Sequence, residues 1–400
     1  MLLLSHFLLI VAIVLLVPVG VFTLQVLLAA LGRECAPDAS LANARRPQLA
    51  VLVPAHDEAS GIAAALQTMR AQLAPGDRLL VVADNCSDAT AQIAAACGAE
   101  VVERFDRALR GKGYALDFGV RHLQRAAPEM VVIVDADCEL GPGALDTLAR
   151  QCGRTGRPVQ ALYLMHAPRA AGLKTRIAAF AWAVKNQARP LGYRRLGLPC
   201  QLMGTGMAFP WAMLRDAPLA SGHIVEDMQL GLDLASAGSA PIFCPEARVT
   251  SVFPSDARGI ADQRARWEQG HVGVILKEGL PALWRAITQR RADLAAMVFD
   301  LCVPPLTMLV MLLVLQAVVD ASVLALGGAP AAFWIALLSL AMVTLAVGSA
   351  WVRFARHIVS LGELLGAPLY VLGKLPLYAR FFKRGKREWV RTKRDDRRDN

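Results

Sequence analysis

The stretch MVVIVDAD (residues 130–137) places two aspartates directly after a run of five apolar residues. A short apolar run rich in β-branched residues predicts a buried strand, and alternate residues of a strand share one face. We therefore expect the carboxyl groups of Asp135 and Asp137 to lie close together at a strand end. Two like charges at that distance are unfavourable unless a cation or hydrogen bonds compensate them. A Mg²⁺ or Mn²⁺ ion that also binds a phosphate would do so, and an ordinary strand-end turn is the alternative interpretation.

The alternation of strands and helices extends over residues 47–270. Apolar runs predict strands at 48–55, 78–84, 100–104 and 130–137, with helices at 60–73, 89–97 and 113–125 between them. This order predicts a mainly parallel sheet covered on both faces, that is, a Rossmann-like α/β domain. Ligands of such sheets bind beyond the carboxyl ends of the strands.

Polar residues also follow the other predicted strands, at His56-Asp57-Glu58 and at DNCSDAT (84–90). The carboxylate of Asp84 could accept a hydrogen bond from the ring N–H of a base such as uracil, whereas helix capping accounts for Asp88. Neither a Gly-rich dinucleotide motif nor a P-loop follows a strand. The phosphates of a nucleotide would therefore need another partner, and a metal ion held by carboxylates is the obvious one.

Three further motifs combine charged groups with glycine or an aromatic ring: RGKG (110–113), Glu226-Asp227 and QRARW (263–267). Glycines on both sides of Lys112 allow the backbone to approach a phosphate or a base closely. Each motif also has an ordinary structural explanation. These are a solvated turn, acids favoured in the first turn of a helix, and an interfacial Trp with arginines that reach the membrane surface.

The composition excludes an ordinary soluble protein. Hydrophobic residues make up 55 % of the 400 residues and charged residues 19 %, whereas soluble domains average roughly 25 % charged residues. The eight cysteines form no CxxC pair, so the sequence indicates neither a zinc site nor a disulfide framework. We expect reduced thiols that face the cytosol.

The apolar excess lies at the two ends of the chain. Residues 1–32 contain no Asp, Glu, Lys or Arg, which predicts a retained transmembrane helix rather than a cleaved signal peptide. Residues 299–356 predict two more transmembrane helices, separated by the turn at 327–330. We expect an interfacial amphipathic segment at 276–298, and an interfacial or re-entrant helix with a basic tail at 357–400.

Arginines flank the predicted spans on one side only, at 33, 45, 46, 285, 290, 291, 353 and 356. The positive-inside rule then predicts a multi-pass membrane protein with its central domain and C-terminus cytoplasmic and its N-terminus outside. Residues 374–400 carry a net +7 of the total +10. Beside membrane helices, such a tail favours binding to anionic lipids rather than to nucleic acid.

In chain order, the motifs resemble those of the membrane-bound inverting glycosyltransferases of family 2, which include cellulose, chitin, hyaluronan and poly-N-acetylglucosamine synthases. The matching segments are PAHDE (54–58), DNCSDAT (84–90), RGKGYAL (110–116), DAD (135–137), GTG (204–206), ED (226–227) and QRARW (263–267). The resemblance covers residues 47–275. It implies a GT-A fold, a nucleotide-sugar donor such as a UDP-hexose or UDP-N-acetylhexosamine, and Mg²⁺ or Mn²⁺ as the cofactor.

The resemblance also implies a role for each matching residue. Donor binding falls to Glu58, Asp84, Lys112, Asp135 and Arg266, metal binding to Asp137 with Asp135, catalysis to Asp227 as the base beside Glu226, and acceptor binding to Gly204, Thr205, Gly206, Gln263 and Trp267. The implied reaction is inverting sugar transfer to a saccharide or lipid-linked acceptor, in cell-surface polysaccharide or glycolipid synthesis at a bacterial inner membrane.

Three spans are few for a secretion channel, whereas QxxRW is typical of processive enzymes. The sequence therefore favours the addition of one or a few sugars, and a processive polysaccharide synthase that extrudes its product is the alternative. The resemblance is also compatible with a homo-oligomer or with a separate export partner. A non-catalytic scaffold on this fold would be expected to lose its metal or base residues, but all of them are present: Asp137, Asp227, Arg266 and Trp267. A lipid-modifying or nucleotidyl-transferring membrane enzyme would leave the ED and QRARW motifs without a role.

Overall fold

The computed structural model describes residues 1–32, 41, 43–169, 171–222, 225–254 and 257–372, without the side chains of 257–266 and 367–372. The chain forms two compact units. Among the described residues, the helical unit consists of 1–32, 171–198 and 271–372, and the α/β unit consists of 41, 43–169, 199–222, 225–254 and 257–270.

The α/β unit contains an eight-stranded sheet in the order β3-β2-β1-β4-β7-β6-β8-β5. The strands are β1 (Leu49–Ala55), β2 (Arg78–Asp84), β3 (Glu100–Arg104), β4 (Met130–Ile133), β5 (Glu139–Leu140), β6 (Val159–His166), β7 (Met207–Pro210) and β8 (Ile242–Val252). Strands β1 to β4 pair in parallel, as do β6 and β8, whereas β7 is antiparallel to both β4 and β6. The sheet is therefore mainly parallel, as the sequence predicted.

The α-helices of the described chain are α1 (Leu2–Leu31), α2 (Ile62–Arg70), α3 (Thr90–Ala96), α4 (Lys112–Leu123), α5 (Ala144–Thr155), α6 (Leu173–Ala183), α7 (Arg189–Arg195), α8 (Trp211–Arg215), α9 (Glu226–Ser236), α10 (Ala257–Thr288), α11 (Ala292–Leu301), α12 (Leu306–Ala325), α13 (Ala331–Ala350) and α14 (Leu361–Leu372). Two π-helical turns, Val184–Ala188 and Trp351–Ala355, follow α6 and α13.

Helix α4 packs directly on the sheet, and this contact fixes where its first residue lies. A Cβ atom added at Gly119 would come within 2.5 Å of Leu52 Cδ1 and 2.9 Å of Val82 Cγ2, so only glycine allows so close an approach. Leu116 and Leu123 of α4 are fully buried in the same core. The N-terminus of α4 is thereby held at the carboxyl edge of the sheet.

Strand β4 is shorter than predicted. The sequence predicted a strand over 130–137, but β4 ends at Ile133. The amide N–H of Val134 still donates to the carbonyl of Leu52 (3.1 Å), whereas that of Cys138 donates to the carbonyl of Asp135 (3.0 Å) and closes a turn. The two aspartates of the DAD motif therefore lie in a turn beyond the strand rather than on one strand face.

Within the part of the chain that the structure describes, three helices are long and apolar enough to cross a membrane: Leu2–Leu31, Leu306–Ala325 and Ala331–Ala355. They correspond to the three predicted spans. Phe22 and Val26 of α1 pack with Val343 and Ala346 of α13 in one buried apolar cluster. Together these helices indicate association with a membrane.

Residues 171–198 lie within the sequence range of the predicted 47–275 domain, but they belong to the helical unit. Phe180, Val184 and Ala188 of this segment are buried in the same apolar cluster as Val19 and Phe22 of α1. The alternation of strands and helices gave no sign that the chain leaves the α/β unit after β6 and returns before β7.

The predicted interfacial segment 276–298 covers the end of α10 and most of α11. Four large apolar side chains along α10 are 62–78 % exposed: Leu276, Leu280, Trp284 and Ile287. Their spacing of four, four and three residues places them on one face of the helix. Helix α14 begins where the interfacial or re-entrant helix was predicted, and the basic tail lies outside the described residues.

Candidate active site

The DAD turn lies beyond the carboxyl end of β4, where a parallel sheet binds its ligands. Ligand atoms of Asp135, Asp137 and Cys138 all lie within 4.8 Å of one another. Burial, followed by the negative charge of Asp137, raises the pKa of the Cys138 thiol well above its ordinary value. A neutral thiol is a poor ligand for a hard cation, whereas two carboxylates suit Mg²⁺ or Mn²⁺. The donor atoms therefore fit the divalent cation that the sequence predicted.

Lys112 is the first residue of α4, and its ammonium group connects two parts of the site. It forms an ion pair with Asp135, and Nζ also donates to the carbonyl oxygen of Gly204 (2.6 Å). Burial alone would lower the pKa of Lys112, but the nearby carboxylates of Asp135, Glu226 and Asp227 outweigh it and raise that pKa. Lys112 is therefore a permanent cation facing three carboxyl groups.

Glu226 and Asp227 form the first turn of α9, as predicted. Burial raises the pKa of Glu226 to about 8; the charge of Asp227 adds to this rise, and that of Lys112 opposes it. A Cβ atom added at Gly204 would lie 3.4 Å from Asp227 Oδ2 and 3.7 Å from Lys112 Nζ. The backbone at Gly204 thus lies against both groups, and the predicted catalytic pair meets the predicted donor-binding residues here.

The GTG loop supports the DAD turn from behind. Thr205 is fully buried, and its Oγ1 accepts a hydrogen bond from the backbone N–H of Asp135 (3.0 Å). Gly206 has φ +65°, and a Cβ atom there would come within 2.8 Å of Ala161. Of the three GTG residues among those predicted to bind the acceptor, Gly204 lies beside Lys112 and Asp227, whereas Thr205 and Gly206 pack inward.

Asp84 ends β2 and is buried. Its Oδ1 accepts hydrogen bonds from Arg104 Nη1 (2.7 Å) and from Asn85 Nδ2 (3.0 Å). The guanidinium of Arg104 also lies 5.6 Å from the centre of the Tyr114 ring. The carboxylate predicted to bind a base is thus held in one orientation by an ion pair from the neighbouring strand.

The loops after β1 and β2 are tied together. The backbone N–H of Glu58 donates to Thr90 Oγ1 (2.8 Å), and that of Ser87 donates to Asp57 Oδ1 (2.6 Å). Asp88 Oδ1 accepts a hydrogen bond from the N–H of Thr90 (3.0 Å), the first residue of α3, although the N-cap position of that helix is Ala89 and not Asp88. These contacts place the half-buried Glu58 in the loop beside the end of β2, where Asp84 lies.

The QRARW motif lies in α10. Trp267 is half-buried, whereas the side chains of Gln263 and Arg266 lie outside the described residues. The sequence did not identify two residues that support the site, Arg104 and Gln160. Gln160 interrupts the apolar run of β6, and this interruption was the only feature of the sequence that pointed to it. Arg104 ends the short strand β3, and no feature of the sequence pointed to its role.

Comparison with known proteins agrees with this geometry. Residues 47–270 match the family model described as glycosyltransferase like family 2. The chain is similar to the structure of the mannosyltransferase PcManGT from Pyrobaculum calidifontis in complex with GDP-Man and Mn²⁺, with 21 % identity and a TM-score of 0.52 over 86 % of this chain and 98 % of that chain. That similarity shows a shared GT-A fold.

Two further structures are similar over a smaller part of the chain. Glucosyl-3-phosphoglycerate synthase from Mycobacterium tuberculosis has 22 % identity and a TM-score of 0.40 over 60 % of this chain and 83 % of its own. Mannosyl-3-phosphoglycerate synthase from Rubrobacter xylanophilus has 19 % identity and a TM-score of 0.41 over 58 % and 75 %. A search of curated protein sequences found no significant match.

Proposed function

The chain belongs to the glycosyltransferase-like family 2, and on this premise we propose that it moves a sugar, with inversion, from a UDP-sugar to a saccharide or lipid-linked acceptor at the membrane. The observation that carries the proposal is the position of Lys112. Its ammonium group pairs with Asp135 of the DAD turn, contacts the GTG loop and faces the Glu226-Asp227 pair. Donor-binding and proton-accepting groups therefore meet at one sheet edge.

Asp227 has the role of general base. The acceptor hydroxyl loses its proton to Asp227 as its oxygen attacks the anomeric carbon, and the bond from that carbon to the diphosphate breaks on the opposite side. The configuration at the anomeric carbon is thereby inverted. A positioned general base contributes roughly 10²–10⁴ in rate. Glu226, whose pKa is raised, adds little negative charge beside Asp227 at neutral pH.

Negative charge grows on the departing diphosphate, and the chain offers cations to balance it. Lys112 is charged and oriented by Asp135 and the carbonyl of Gly204, and Arg266 of the QRARW motif is the second predicted cation. A Mg²⁺ or Mn²⁺ ion held by Asp137 and Asp135 would supply further charge stabilisation at the diphosphate. Fixed cations of this kind act without reorganisation during the reaction.

The surroundings of Asp84 favour uracil as the base of the donor. Arg104 and Asn85 both donate to Oδ1, so Oδ2 is the oxygen left to accept a hydrogen bond from a base. Uracil offers one ring N–H, whereas guanine presents two adjacent donors that match both oxygens of a carboxylate. Glu58, in the loop beside Asp84, completes the proposed nucleoside contact.

On the acceptor side, Trp267 offers a flat apolar face to a pyranose ring. The exposed apolar face of α10 (Leu276, Leu280, Trp284 and Ile287) supports contact with a membrane surface, because a soluble protein rarely exposes so continuous a patch. We therefore propose a role in cell-surface polysaccharide or glycolipid synthesis at a bacterial inner membrane, with the α/β unit and the basic tail on the cytoplasmic side.

The direct test uses the purified full chain in lipid nanodiscs with Mn²⁺. UDP-glucose, UDP-N-acetylglucosamine and GDP-mannose are supplied in turn, and release of the nucleoside diphosphate is measured. We expect turnover with a UDP-sugar, its loss in Asp137→Ala, and its retention in Asp216→Ala, because Asp216 is a surface residue that pairs with the adjacent Arg215. Wild-type turnover by Asp137→Ala, or no turnover with any donor, would contradict the proposal.

The alternative is a processive synthase that also extrudes its polymer, and the QxxRW motif favours it. The two functions differ in product length. Mass spectrometry of lipid-linked saccharides from cells with and without the protein would show additions of one or a few sugars under our proposal. A ladder of long chains would favour the processive synthase instead.

A further inference from the structure

Gln160 is a buried side chain beneath the GTG loop. It lies in β6, is fully buried, and makes three hydrogen bonds. Oε1 accepts from the backbone N–H of Met203 (2.8 Å), and Nε2 donates to the carbonyl oxygens of Thr205 (2.9 Å) and Ala161 (2.9 Å). The amide of Gln160 is thus hydrogen-bonded to the backbone of the residues on both sides of Gly204.

The segment that Gln160 holds touches three parts of the candidate site. The carbonyl of Gly204 accepts from Lys112 Nζ, and Thr205 Oγ1 accepts from the backbone N–H of Asp135. The α-carbon of Gly204 lies against Asp227 as well. A shift of this loop would therefore move a donor-side cation, a carboxylate of the DAD turn and the surroundings of the proposed base together.

A buried amide is unfavourable unless its polar atoms are hydrogen-bonded, and an apolar side chain of similar size would fill the same space in the strand. An apolar residue at position 160 would leave the N–H of Met203 and the carbonyl of Thr205 without this partner. The amide of Gln160 therefore stabilises the backbone of the GTG loop, whereas core packing alone does not require an amide there.

We propose that Gln160 is a positioning residue for sugar transfer: it fixes the backbone of residues 203–205, and through it Lys112, Asp135 and Asp227. The inference rests on the proposed function, but it concerns a residue outside the motifs that led to that function. Gln160 touches neither donor nor acceptor in this scheme and acts only through the loop.

The alternative is a purely structural role, and Gln72, which is half-buried but makes the same kinds of hydrogen bond, offers a control for it. Gln72 Nε2 donates to the carbonyls of Thr68 and Gly141 (both 3.1 Å), and its Oε1 accepts from the N–H of Leu145 (3.2 Å). It makes the same kinds of bond in the same unit, but to α2 and to the segment that follows β5. Substitutions at Gln72 report the cost of losing such an amide away from the GTG loop.

The experiment compares Gln160→Met, Gln160→Glu, Gln72→Met and Gln72→Glu in nanodiscs, with kcat expressed per folded molecule. We expect kcat to fall about 10–100-fold in Gln160→Met, the loss typical of a removed supporting hydrogen bond, and to stay within about twofold in both Gln72 variants. A protonated glutamate can donate to the carbonyl of Thr205, whereas an ionised one cannot. The kcat of Gln160→Glu relative to wild type should therefore rise as pH falls, and that of Gln160→Met should stay flat.

Equal kcat values for the Gln160 and Gln72 variants, with similar losses of thermal stability, would overturn the proposal. A further readout separates it from the proposed function. Mn²⁺ affinity, measured by electron paramagnetic resonance, should weaken about 10-fold in Gln160→Met and not in Gln72→Met. If the wild-type protein were inactive but Mn²⁺ affinity weakened only in Gln160→Met, the proposed reaction would be refuted while the positioning role would stand. Unchanged Mn²⁺ affinity in both variants would refute the positioning role.

Discussion

Each unit contains a cluster of charged groups, buried in the helical unit and half-buried in the α/β unit, and the two clusters differ in how their charges balance. In the helical unit, Arg189 Nη2 donates to Asp300 Oδ1 (2.8 Å) and Arg189 Nε donates to Gln25 Oε1 (2.9 Å). Gln25 Nε2 in turn donates to Asp300 Oδ1 (2.6 Å). One cation meets one anion, and the amide bonds to both.

In the α/β unit, the single ammonium of Lys112 faces three carboxyl groups, those of Asp135, Glu226 and Asp227. This cluster has more acid than base. Burial is the main cause of the raised pKa of Glu226, and the charges of Asp227 and Asp135 add to it against the opposing charge of Lys112. A divalent cation or a proton from a substrate would relieve the excess of acid. The excess negative charge therefore marks the α/β cluster as a site that binds a cation or a substrate, whereas the charges of the helical cluster already balance one another.

The largest expected effect tests the α/β cluster. Asp227→Asn keeps the size and polarity of the side chain but removes its basicity. We expect sugar transfer to fall by roughly 10²–10⁴, while the affinity for the nucleotide donor changes little. Initial rates and calorimetric titration with UDP measure the two quantities. A parallel loss of UDP affinity would show that Asp227 binds the donor. The contrast between the α/β cluster and the charge-balanced helical cluster would then be weaker.

The next effect tests the helical cluster. Asp300→Ala leaves the buried guanidinium of Arg189 without its counter-ion, and removing one partner of a buried pair costs about 3–5 kcal/mol. We expect a large loss of thermal stability in detergent, with kcat per folded molecule unchanged. The double variant Arg189→Met/Asp300→Leu should recover most of the stability. A fall in kcat without a fall in stability would show that this cluster also serves the reaction.

The smallest effect is the dependence of stability on pH. Because the pKa of Glu226 is raised from 4.5 to about 8 in the folded protein, its contribution to stability is fully present below about pH 4.5 and is lost as the pH rises through 8. Glu226→Gln removes this dependence. In metal-free buffer we expect the variant to match wild type at pH 5 and to exceed its Tm at pH 9 by at least about 2–4 °C, which corresponds to roughly 1 kcal/mol.

Thermal unfolding followed by fluorescence measures these Tm values. Glu103→Gln, on the exposed edge strand β3, is the control and should give a curve parallel to that of wild type. If Glu226→Gln also gave a parallel curve, the carboxyl group would not carry the excess charge inferred for the cluster.

The first half of the fold could be predicted from the sequence because β1 to β4 are short apolar runs that alternate with helices. The predicted bounds of β2 and β3 equal the observed ones, since each is a short apolar or β-branched run closed by charged residues. Strands β6, β7 and β8 were not predicted. The helical segment 171–198 interrupts the alternation of strands and helices between β6 and β7.

The site could be predicted where charged residues occur in compact motifs, as at Lys112, Asp135 and Asp227. It could not be predicted where support comes from a distant strand. Gln160 contacts residues 203–205 across the sheet, and Arg104 contacts Asp84 from the next strand. Such partners depend on register, which a single sequence does not reveal.

The helical unit is assembled from three separate stretches of the chain, and this has a consequence for the order of synthesis. Helix α1 leaves the ribosome well before α13, against which it packs, because α13 begins at residue 331. At about 5–20 residues per second, roughly 15–60 seconds of translation separate the two helices. The α/β unit can complete its sheet within that interval. Gln25 of α1 has no polar partner in this cluster until Arg189 and then Asp300 have been synthesised. Helix α1 must therefore persist without these contacts at first.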